Sequence, residues 1–142
     1  MHDKIKEIYP VQAVNAVDKL LTVCRAAIDL NGVHKIEMDD NRISRIQIDV
    51  LVPHIPDYRC AGGSFLEYHD VTLDELTNVV SEAYQTIAYY GCNPEELKQW
   101  VINKGLRGID RIVPIGKTAD WNLVWDGTDL LLAMSRIVTA WS

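Results

Sequence analysis

The chain has 142 residues, 48% of them hydrophobic and 24% charged, with a formal net charge of −6. That length makes one domain, or one piece of a larger one. The acidic balance without a basic block argues against nucleic acid and anionic membranes as partners, and no apolar run approaches the roughly 20 residues of a bilayer span. Three scattered cysteines suit a reducing, cytoplasmic setting better than a disulfide framework, and Met1–Glu7 lacks the apolar core of a signal peptide.

Residues 10–30 carry apolar side chains at Val11, Val14, Val17, Leu20, Leu21, Cys24 and Ile28. This spacing predicts a helix burying that face, stopped by Asn31-Gly32. Asp39-Asp40-Asn41 reads as a turn. Ile46, Ile48, Val50 and Val52 alternate with neighbours of the other face, a period of two that predicts a strand. Pro53 and Pro56 then end it, because proline donates nothing to a ladder. They mark the one expected internal boundary, near 53–63.

Ser64–Tyr68 reads as a short strand after the Ala61-Gly62-Gly63 loop. Thr72-Leu73-Asp74-Glu75 has the form of a capping box, predicting a helix that buries Leu73, Leu76, Val79, Val80 and Ala83. Thr86–Tyr90 is expected as a strand closed by Gly91. Asn93-Pro94-Glu95-Glu96 opens another helix, with a cap residue, proline at the first position and acids in the first turn. Leu97, Trp100 and Val101 form its apolar face and Gly105 its stop. Arg111–Ile115 follows as a strand, Thr128 or Asp129 caps a short helix, and Ile137–Trp141 is expected as a final strand. Alternating helices and strands favour an α/β chain with a mostly parallel sheet and covering helices.

Few residues offer chemistry. Cys60 follows Arg59 and precedes two glycines, a setting where a cation and free backbone N–H groups would activate a thiol. No helix N-terminus or histidine base is fixed beside it, so the favoured reading is a small buried apolar residue; Cys24, on the apolar helix face, and Cys92, in a turn, read as structural or incidental. His54, Cys60 and His69 are too widely spaced for a local chelate, so no metal is expected. Gly62-Gly63 and Gly105-x-x-Gly108 are not a dinucleotide fingerprint, so no cofactor-binding residue is expected within the chain. Asp126-Gly127, with Asp129 behind Trp121 and Trp125, would hold a cation or a substrate group, or else form a tight turn before a helix; the turn is favoured.

Leu73-Asp74-Glu75-Leu76, Gln85–Gly91, the helix from Glu95 to Lys104, Gly108–Gly116, Trp125-Asp126-Gly127 and Ser135-Arg136 occur in an order that resembles the C-terminal end of the LuxC-type acyl-CoA reductases, in the aldehyde dehydrogenase superfamily. The resemblance covers roughly residues 58–138. It implies a partial catalytic domain spanning 1–142, with a terminal strand used in association. The enzyme implied reduces a fatty acyl thioester, on CoA or a carrier protein, to a fatty aldehyde with NADPH. Its nucleophilic cysteine and NADPH-binding region would lie upstream, so this chain alone would be inactive and would work with the rest of the reductase in a homo-oligomer. None of Cys24, Cys60 or Cys92 matches the family's catalytic context; Arg59, Asp126 and Gly127 stay as substrate or loop candidates. The alternative is a non-catalytic α/β binding or assembly module derived from the same fold.

Overall fold

A computed structural model describes residues 11–39, 41–60, 62–69 and 72–141, which form two compact units dividing between Val79 and Val80. The chain is mixed α/β, as its pattern suggests, but the described residues build three small sheets rather than one mostly parallel sheet. Segment 53–63, expected as a boundary, lies within the first unit.

In that unit, helix α1 spans Ala13–Asp29. Strands β1 (Val33–Asp39), β2 (Ile43–Ile48) and β3 (Ser64–Tyr68) follow, in the order β1-β2-β3. β1 and β2 form an antiparallel hairpin, and β2 pairs with β3 in parallel. Strand β1 is absent from the sequence reading, where Lys35, Glu37 and Asp39 obscure its apolar positions. Asn41 turns the hairpin at a φ of 55°, and the Arg42 N–H donates to the Asp39 carbonyl. Asp40, the middle of the expected turn, lies outside the described residues. β2 starts earlier than expected and ends at Ile48, leaving Val50 half exposed, because the chain bends at Asp49 and runs on irregularly to Pro53.

The core comprises Val23, Ala26, Leu30, Ile46, Ile48, Ile55, Tyr58 and Val79. Ile55 and Tyr58 reach it from a single 3-10 turn, Ile55–Tyr58. The helical face is not the expected one. α1 buries Lys19, Val23 and Ala26, and turns Val14, Val17, Leu20, Leu21, Cys24 and Ile28 outward. Ala26 is fully buried in the same cluster as Ile46 and Ile48, a place in a close-packed core that suits a small side chain. The capping-box helix shrinks to a 3-10 turn, Glu75–Asn78. The Glu75 carboxylate accepts from the Tyr68 hydroxyl, and Leu73 stays partly exposed while Leu76 and Val79 pack inward.

The second unit holds β4 (Thr86–Tyr89), α2 (Pro94–Asn103) and β5 (Arg111–Pro114), a βαβ unit whose strands pair in parallel. Asn93 caps α2 as expected, accepting from the Glu95 N–H at 3.0 Å. Past α2, the Gly108 position leaves no room for a side chain: a Cβ there would fall on the Ser81 carbonyl. β6 (Val124–Trp125) and β7 (Thr128–Asp129) make a two-residue hairpin, and α3 (Leu130–Met134) follows. Asp129 caps α3 through the Leu131 and Leu132 N–H groups. Segment 137–141, expected as a strand, has no regular structure; it has no ladder partner among the described residues, and an unpaired strand is not stable alone.

Candidate functional site

The two regions singled out by sequence lie in different units. In the first, Arg59 caps the 3-10 turn, its N–H donating to the Pro56 carbonyl, and its side chain is exposed. Cys60 is half-buried and forms no hydrogen bond or ion pair among the described residues. No group of three or more His, Cys, Asp or Glu side chains among them is placed to hold a metal, so His54, Cys60 and His69 do not converge. His54 instead packs beside Tyr58, with ring centroids 6.1 Å apart. Ala61 lies outside the described residues.

The group that does organise this region is Lys19, which sequence reading passed over. Its side chain is 1% exposed, and its Nζ donates to the carbonyls of Asn41 (3.0 Å) and Arg42 (2.6 Å). The α-carbon of Gly62 lies over the same stem, where a Cβ would stand 3.6 Å from Lys19 Cε. A lysine on α1 thus holds the Asn41 and Arg42 carbonyls while its stem packs beside Gly62. The only signal in the sequence is its register with Val23 and Ala26, which is helical but not apolar.

On the sheet's other face, Arg45 reaches Glu67 through Nε (2.5 Å) and Nη2 (2.9 Å), and Glu37 through Nη1 (3.1 Å). This fork runs across all three strands. The Arg45 guanidinium, helped by Gln47, holds the Glu67 carboxyl below the ordinary glutamate range. Lys35, and then Arg45, do the same for Glu37.

In the second unit the Asp126-Gly127 turn is built in detail. Asp126 (φ 47°) and Gly127 (φ 73°) are the two central residues of the β6–β7 hairpin, the paired left-handed geometry that matches strand twist. Gln85 fixes it to the βαβ unit. Its Nε2 donates to Asp126 Oδ2 at 3.2 Å, while its carbonyl accepts the N–H groups of Asp110 and Arg111. The Asp110 carboxylate lies against Gly127, 2.9 Å from where a Cβ would be. Arg111 sits 4.2 Å over the Trp125 ring and donates to the Thr118 and Asp120 carbonyls. Trp121 stacks on Trp125 at 5.2 Å and is itself mostly exposed.

Gln85, Asp110, Arg111, Asp126 and the two tryptophans are therefore one hydrogen-bonded and stacked assembly. Asp126 spends one carboxylate oxygen on Gln85 and bends the hairpin, the work of a turn residue. Sequence reading located Asp126 and Gly127 but not Gln85 or Arg111, which come from positions 41 and 14 residues earlier than those they serve.

No protein-family model, no curated protein and no solved structure matches the chain. Among the described residues no helix is long and apolar enough to cross a membrane.

Proposed function

We propose that this chain is the C-terminal part of an acyl-CoA reductase of the LuxC type, reducing a fatty acyl thioester to an aldehyde with NADPH supplied by another region. The observation that carries this reading is the bare βαβ unit. Two parallel strands, β4 and β5, make up a whole sheet. Parallel strands are characteristically sandwiched inside larger sheets, and two alone hide too little apolar surface to be independently stable. A pair of this kind fits a sheet that is continued by other strands. The stretches that carry the resemblance, Gln85–Gly91, Glu95–Lys104 and Gly108–Gly116, supply β4, α2 and β5 in that order. On this reading Asp126, Gly127, Gln85 and Arg111 shape the enzyme without touching the reacting carbonyl, and Arg59 and Cys60 belong to a loop. NADPH contributes the hydride; this chain's residues hold the sheet on which the acyl site is assembled.

The test is to isolate the native protein with its associates through a C-terminal tag and supply palmitoyl-CoA and NADPH. Oxidation of NADPH with release of aldehyde is expected, and Cys60→Ser leaves the rate of acyl-enzyme formation unchanged. Absence of thioester-dependent NADPH oxidation overturns the reading in favour of a non-catalytic assembly module. Loss of acyl-enzyme in Cys60→Ser, with folding intact, makes Cys60 the nucleophile.

A further inference from the structure

The outward face of α1 has the geometry of a coiled-coil seam. Val14, Val17, Leu21, Cys24 and Ile28 recur at alternating spacings of three and four, the a and d positions of a heptad. All are exposed: Val14 58%, Val17 55%, Leu21 56% and Ile28 82%, with Cys24 among them. The opposite face, Lys19, Val23 and Ala26, is packed on the first unit's core. The seam is therefore carried on a helix already held in place, so pairing would not have to meet the entropy cost that makes short free helices unstable.

We infer that this seam is the docking surface for a second copy of the same chain, with the two α1 helices antiparallel about a two-fold axis. The choice of occupant comes from the charges beside the seam. Asp18 and Arg25 are seven residues apart, both at the e position, and both exposed. In an antiparallel pair, residues at e face e of the other helix. With Val17 set against Ile28 and Leu21 against Cys24 of the second copy, Asp18 falls beside its Arg25, and the symmetry repeats the pair. The same register places Leu20, 51% exposed, against Ala27 of the other copy. A helix that is charge-complementary to its own reverse is suited to an isologous contact. A parallel arrangement would set Asp18 against Ala13 and Arg25 against Leu20, both apolar g positions, and would leave both charges unpaired.

The experiment is light scattering over a concentration series on the whole chain, with Asp18→Arg and Arg25→Asp made singly and then mixed. The wild type is expected to dimerise as concentration rises. Each single variant brings like charges together twice, so its dimer should weaken about tenfold or more. The equimolar mixture should recover the association as a heterodimer, because arginine at 18 and 25 of one chain then meets aspartate at 25 and 18 of the other. A wild type that stays monomeric at about 0.5 mM overturns the proposal, whatever else binds the seam. So does a dimer indifferent to both substitutions, or a mixture that fails to re-form it. Because the wild-type measurement decides by itself, a poorly folding variant does not protect the idea.

Discussion

Gly127 and Asp126 show how much a residue's role depends on its backbone. Gly127 has a left-handed φ of 73° and faces the Asp110 carboxylate, so a side chain there would meet both a backbone penalty and a steric one. Gly127→Val is expected to lower the unfolding free energy by about 1–3 kcal/mol, read from chemical denaturation. Asp126→Asn is expected to cost less, since its side-chain oxygen still accepts from Gln85 and asparagine tolerates positive φ. A reversed order would mean that the Asp126 charge, not the turn, is what the site needs. The dipeptide was legible in the sequence because Asp-Gly between strand residues is a local signal. Gln85 and Arg111 were not, because their partners are remote in sequence and only the fold brings them together.

At the scale of elements, the strands β3, β4 and β5 and the capped helix α2 follow from local pattern, with ends agreeing to about a residue. The inward face of α1 does not. Its most apolar stripe is the one left outside, and the buried stripe includes a lysine whose stem packs while its head reaches two carbonyls. Periodicity identifies a helix, but two stripes on one helix compete, and the fit against Ile46 and Ile48 decides between them. The sheet's other face makes a prediction about acid. Glu67 titrates below its ordinary value because Arg45 holds it ionised, and Glu37 likewise because of Lys35. A folded-state value depressed below the unfolded one, about 4.3 for glutamate, adds stability above that value. The contribution fades as pH falls through the folded value. Unfolding midpoints in urea should therefore drop as the solution is acidified through and below the unfolded glutamate value, and Glu67→Gln should flatten that part of the curve while lowering the plateau at neutral pH. An unchanged acid limb in Glu67→Gln would show that the Arg45 fork contributes nothing to folding.

Across the whole molecule, composition and alternation lead correctly to a mixed α/β chain, and they miss its division. Nothing at Val79–Val80 looks like a linker, since both residues are apolar; the division lies in how the folded chain packs and leaves no mark in its composition. The single parallel sheet expected from the βαβ pattern needs strands that pair with each other, and β2–β3 and β4–β5 remain separate ladders. Apolar burial is unequal as well. The first unit contains the eight-residue core, whereas Leu97 is the single buried apolar side chain among the described residues of the second.

That inequality gives the protein a built-in optical reporter. All four tryptophans, Trp100, Trp121, Trp125 and Trp141, belong to the second unit, so indole emission is blind to the first. Far-ultraviolet dichroism, in contrast, is weighted toward the 17-residue α1. A guanidinium titration should then give two midpoints from one sample, with fluorescence changing at lower denaturant than ellipticity. Coincident curves would mean that the two units unfold as one cooperative body despite their unequal cores.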